Sequence, residues 1–99
     1  MDDCELFFWI VRGAQRVAIL RAFSAPMTPS QLRKSCLSYN KKVSLNNTSD
    51  VIRKFEAKGI AVCLAPNNKI DRIYSLTDIG EEIRQILLKV FEHYNHHIQ

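Results

Sequence analysis

Residues 28–60 read TPSQLRKSCLSYNKKVSLNNTSDVIRKFEAKGI, and their punctuation decides the fold. Thr28-Pro29-Ser30-Gln31 is a helix start. Thr28 offers a capping hydroxyl, Pro29 suits the first helical position, and Gln31 completes a capping box. The helix it opens is short, turns Leu32 and Cys36 inward and fades by Ser38. Tyr39-Asn40-Lys41-Lys42 reads as a turn or loop. A further helix begins near Ser44, with Asn47 as a partial capping-box partner and Asn46 as the alternative cap. Thr48, Val51, Ile52 and Phe55 recur at helical spacing and predict its buried stripe. Gly59, after a basic last turn, ends it as a glycine at the C′ position. The opposite face carries Asn46, Asn47, Ser49, Asp50, Arg53 and Lys54.

Downstream, Ile60, Val62 and Leu64 alternate with Ala61 and Cys63. Pro66-Asn67-Asn68 supplies turn residues, and Arg72, Tyr74 and Leu76 alternate with Ile73 and Ser75. This pattern predicts a β-hairpin over 59–76. Thr77 caps a last helix whose first turn holds Asp78, Glu81 and Glu82, where the helix dipole favours negative charge. Its apolar positions are Ile79, Ile83, Ile86, Leu87, Val90, Phe91 and Tyr94. Upstream, residues 4–23 are mostly helix formers, with Gly13 as a point of kinking or splitting. Val17, Ile19, Leu20 and Phe23 give this region an inward stripe, and Leu6 to Val11 is apolar nearly all round. Ser24-Ala25-Pro26-Met27 is a break.

Ninety-nine residues make room for one domain, with no repeat, linker or low-complexity tract. The hydrophobic fraction of 46% and charged fraction of 24% are those of a globular chain, not a disordered one. The longest apolar run, Leu6–Val11, is far short of the roughly 20 residues that span a bilayer. The acidic start Met1-Asp2-Asp3-Cys4-Glu5 is unlike a signal peptide, so a cytoplasmic location is expected. Cys4, Cys36 and Cys63 are odd in number and widely spaced, which supports neither a disulfide framework nor a four-cysteine zinc site. The net charge of +4 is unevenly spread. Residues 28–58 hold seven basic side chains against two acidic, whereas residues 77–99 hold two against four. A basic middle between neutral and acidic ends fits a polyanion-facing surface, or a solvated face with surplus lysine.

The expected order is α-α-α-β-β-α, mainly α with a small β-hairpin: a winged helix-turn-helix with long terminal helices. Its parts are residues 1–27, a helix-turn-helix over 28–58, a wing over 59–76 and a C-terminal helix over 77–99. Four stretches resemble the small archaeal winged helix-turn-helix regulators of the MarR and ArsR type. They are Arg16-x-x-Ile19-Leu20-x-x-Phe23, Met27-Thr28-Pro29-Ser30-Gln31-Leu32, Phe55-Glu56-Ala57-Lys58-Gly59-Ile60, and Asp71-Arg72-x-Tyr74-x-Leu76-Thr77-x-x-Gly80. The resemblance covers roughly residues 12–84. It departs from the family between Leu37 and Val43, which is longer than the usual tight turn. The paired cysteines of metal-sensing relatives are absent.

The resemblance implies a homodimeric transcriptional regulator that binds double-stranded DNA at a palindromic operator. A recognition helix at about 44–58 would enter the major groove, and a wing at about 64–72 would meet the flanking groove or backbone. Asn46 and Asn47 suit adenine or serve as caps, Arg53 suits guanine or a phosphate, and Ser49 adapts to either. Lys41, Lys42 and Lys54 suit phosphates, as do Ser30 and Gln31 at a helix N-terminus. Asn67, Asn68, Lys69 and Arg72 belong to the wing.

The terminal helices carry more apolar surface than one small domain covers. Phe7, Phe8, Val11, Ile83, Ile86, Leu87, Val90, Phe91 and Tyr94 are therefore the expected dimer interface. His93 and His97 stand four apart on one helix face, a spacing that can hold zinc, but nothing nearby completes a ligand set. No cofactor is implied, and the chain carries no nucleophile elbow, glycine-rich phosphate loop or histidine–glutamate metal motif, so it reads as a non-enzyme. The competing reading is a winged-helix protein-interaction module within a larger assembly.

Overall fold

The computed structural model describes the backbone of residues 2–67 and 72–98, and the side chains of residues 2–67 and 72–93. Among these residues the chain forms α1 (Asp3–Val11), α2 (Ala14–Ala22), α3 (Pro29–Cys36), α4 (Leu45–Ala57), β1 (Ala61–Cys63), β2 (Tyr74–Leu76) and α5 (Asp78–Ile98). It is a mainly helical domain with one antiparallel hairpin.

The N-terminal region corrects the expected order. Instead of one long helix there are two of nine residues each, separated at Gly13. Gly13 is extended (φ −121°, ψ 115°), so the chain turns there and α2 starts afresh. Arg16 folds back across the break and donates from Nη1 to the Trp9 carbonyl (2.6 Å). A Cβ on Gly13 would press on that arginine's side chain. The observed order is α-α-α-α-β-β-α, and only the C-terminal helix is long.

The punctuation of residues 28–60 is realised bond by bond. Gln31 N–H donates to Thr28 Oγ1 (3.2 Å) and Thr28 N–H donates to Gln31 Oε1 (3.0 Å), closing the box at α3. Ser44 caps α4 in the same way, with Asn47 as its partner. The long link between α3 and α4 is a true loop, not an extension of α3. Tyr39 and Asn40 N–H groups both donate to the Cys36 carbonyl. Val43 plugs the core, and its carbonyl accepts from Arg33 Nε (3.3 Å). At the far end of α4, Gly59 takes φ +79°. Its N–H donates to the Glu56 carbonyl, and Ile60 N–H donates to the Phe55 carbonyl. These two bonds make a Schellman motif.

That motif breaks the strand alternation. Ile60 belongs to the helix end and Ala61 begins pairing with Leu76, so both are buried. From there Val62 and Leu64 point outward. Met27 bonds both ways with Tyr74 (2.9 Å each), so the break after α2 covers the second edge of β2. This link draws the start of α3 up to the hairpin.

Helix α5 is fastened at its start. Thr77 Oγ1 donates to the Gly59 carbonyl (2.6 Å) and accepts from Gly80 N–H (3.2 Å). Gly80 is packed so tightly on the Ile60 carbonyl that a Cβ there would overlap it. Arg84 then donates to the last carbonyls of α2, at Leu20 and Arg21 (3.1 Å each). The core gathers Ile10, Ile19, Leu20, Phe23, Leu32, Ile52, Phe55 and Ile60, with Ile83 and Leu87 from α5. Ile83 and Leu87 are 2% and 1% exposed, so they pack within the protomer and are not free to face a second copy. No helix among the described residues is long and apolar enough to cross a membrane.

Candidate nucleic-acid interface

Helix α4 turns Thr48, Val51, Ile52 and Phe55 to the core. By the 3.6-residue period, its outermost ridge is Asn46, Asp50, Arg53 and Ala57, with Ser49 and Leu45 on one flank and Lys54 on the other. All but Ser49, which is half-buried, are exposed. Arg53 Nη2 stands 3.6 Å from Asp50 Oδ1, an ion pair one turn apart in open solvent.

The two asparagines have separate roles. Asn47 Oδ1 accepts from the Ser44 hydroxyl (2.7 Å) and the Ser44 N–H (3.4 Å), which commits this side chain to the cap. Asn46 lies one position before it, is exposed, and has no side-chain partner among the described residues. The expected Ser44–Asn47 capping box is thus realised, and Asn46, the alternative cap, does not cap. The cap geometry selects the residue three beyond Ser44. Gln31 is similarly held by its carbonyl oxygen in the α3 box.

Between the start of α3, the flank of α4 and β2 runs a groove of about 460 Å³. Ser30, Ser49, Arg53 and Arg72 line it, four of the residues singled out from sequence. Leu45 lines it too and is 45% exposed, an apolar side chain within an otherwise polar rim. Sequence reasoning passed over Leu45 because it lies outside the buried stripe. That position, at the first turn beside the asparagine pair, was the available signal. Lys41 and Lys42 are exposed on the loop before α4, and Asn67 is exposed beyond β1. Asn68 and Lys69 lie outside the described residues.

A second face is of opposite character. Phe8 and Val11 on α1, and Ile86 and Val90 on α5, are 41–55% exposed. Between the two helices lies an apolar cleft of about 210 Å³ floored by Phe7, Ile83 and Ile86. Phe7 and Phe91 are half-buried, and the Tyr94 side chain lies outside the described ones. Cys36 is buried, and desolvation pushes its thiol up from its ordinary value, against a backbone hydrogen bond and the nearby Arg33 charge. No group of three metal-ligating side chains comes together among the described residues. The sequence matches no protein-family model and no curated protein.

Proposed function

We propose that the chain is a winged helix-turn-helix protein that binds double-stranded DNA as a homodimer and regulates transcription, without catalysis. The observation that carries this reading is the outer ridge of α4. It is polar, exposed and well capped, and it shares one groove with the start of α3 and with Arg72 beside the hairpin. In this reading α4 enters the major groove. Asn46 matches the donor–acceptor edge of adenine and Arg53 the two acceptors of guanine. Ser30, Lys41, Lys42, Lys54 and Arg72 meet phosphates and set the register. Asp50 weakens non-specific attraction to phosphate and leaves more of the discrimination to bases.

The apolar face of α1 and α5 supports the second half of the proposal. Phe8, Val11, Ile86 and Val90 form a patch suited to a two-fold partner of the same chain. Two copies would present two α4 helices to an inverted repeat. A specific observation favours the competing reading as well. Val62, Leu64 and Ile73 are exposed together on the outer face of the hairpin, which suits a protein-docking module.

Fluorescence anisotropy with a labelled duplex separates the two. A DNA regulator binds with log K falling steeply in log salt, at about −0.9 per phosphate neutralised, and prefers its operator over mixed sequence by roughly 10³ or more. Absence of binding to any duplex at low salt would transfer the proposal to the docking module.

A further inference from the structure

Leu45 opens α4 with an apolar side chain that the fold does not use. It is 45% exposed, and the stripe that packs inward begins only at Thr48. The helix start makes no demand on it either. Ser44 and Asn47 form the cap, and the apolar residue that precedes the cap, Val43, already lies in the core. Single exposed apolar residues are ordinary on a protein surface. It is the place of Leu45 that carries weight.

Leu45, Ser49 and Arg53 follow one another at i, i+4 and i+8, which sets them in one row along the flank of the helix. All three line the groove shared with Ser30 and Arg72. Leu45 also adjoins Asn46, which is exposed and has no side-chain partner among the described residues. The row is thus apolar at the helix N-terminus and polar from Ser49 onward. A helix that enters the major groove brings its N-terminal residues to the base edges. The donors and acceptors of those edges suit Asn46, Ser49 and Arg53, but none suits leucine. The apolar group that marks a base there is the C5-methyl of thymine.

We propose that Leu45 is a specificity-determining residue that reads the methyl group of one thymine in each half-site, beside the adenine met by Asn46. The contact covers the exposed part of Leu45 and takes the methyl out of water. This inference rests on the DNA-binding reading, and it adds a base preference that hydrogen bonding does not supply.

The test compares thymine with uracil, which pair identically with adenine and differ by that methyl alone. The full chain first selects duplexes from a randomised pool. The enriched duplex is then resynthesised with uracil in place of thymine, one symmetric pair of positions at a time, and its affinity is measured by fluorescence anisotropy for the wild type and for Leu45→Ala. At one pair of positions uracil should weaken wild-type binding about fifteenfold, or about fourfold for each methyl returned to water. Leu45→Ala keeps a helix-favouring residue at an exposed position, so the fold is retained. The variant should bind the thymine and uracil duplexes within about twofold of one another, because both changes remove the same contact. If uracil is tolerated at every thymine of the enriched duplex, or if its penalty persists in Leu45→Ala, the role of Leu45 is overturned while α4 stands as the reading helix. Failure of the wild type to enrich any duplex would overturn both.

Discussion

The outer face of α4 and the outer face of α1 and α5 are both open to solvent, yet they are built from opposite materials. One presents Asn46, Asp50, Arg53 and Lys54; the other presents Phe8, Val11, Ile86 and Val90. A solvated face of the first kind costs little on its own. A patch of the second kind is unfavourable until something covers it, at about 25 cal/mol for each Å² of apolar surface left in water. The contrast suggests a division of labour. In the proposed reading the apolar face would build the assembly and the polar face would meet the ligand. The helices bearing the two faces are tied through the Thr77 and Gly80 contacts to Gly59 and Ile60.

The largest expected effect comes from breaking that tie. Gly80→Ala drives a methyl group into the Ile60 carbonyl and should destabilise the fold by about 1–3 kcal/mol, read by chemical denaturation. Next is the apolar face. Ile86→Asp leaves the isolated protomer nearly unchanged, because Ile86 is already 51% exposed. In a dimer it would bury an unpaired carboxylate. Sedimentation should therefore show the assembly reduced to monomer while thermal unfolding of the protomer stays within a few degrees. On the polar face, Arg53→Ala should cost about 1–3 kcal/mol of operator affinity and relax one base position. A uniform loss over all sequences would reassign Arg53 to a phosphate.

Two smaller effects sharpen the comparison. Ser44→Ala removes the α4 cap and should cost about 1 kcal/mol of stability, measured in urea. Asp50→Ala should alter stability by less than about 0.5 kcal/mol, since its ion pair with Arg53 is largely solvated. The same change should raise affinity for mixed-sequence DNA and so lower the preference for the operator, which a paired anisotropy titration would register.

Helix ends were the most legible part of the chain. The Thr28, Ser44 and Gly59 signals act within a few residues, so the sequence contains everything they need. The split at Gly13 was legible as a possibility, and the fold-back of Arg16 onto Trp9 accompanies it. The Met27–Tyr74 pairing was not legible, because it joins segments far apart in the chain and carries no local mark. The dimer residues illustrate another limit. The apolar stripe of α5 is wide enough to face two directions, and periodicity cannot divide it. Packing on the core takes Ile83 and Leu87, which leaves Ile79, Ile86 and Val90 outside. Asn46 and Asn47 differ by one residue and one role: a cap at Ser44 takes the residue three beyond it, as the spacing predicts, and leaves Asn46 outward.

The most direct test of the central claim is selection of bound duplexes from a randomised pool by the full chain, repeated with an Asn46→Ala, Arg53→Ala double variant. The expected outcome for the wild type is one inverted repeat with half-sites about one helical turn apart, carrying adenine and guanine at fixed positions. In the double variant those two positions should lose their preference while the spacing persists. No enrichment by the wild type, or the same motif selected equally well by the double variant, would contradict the assignment of α4 as the reading helix.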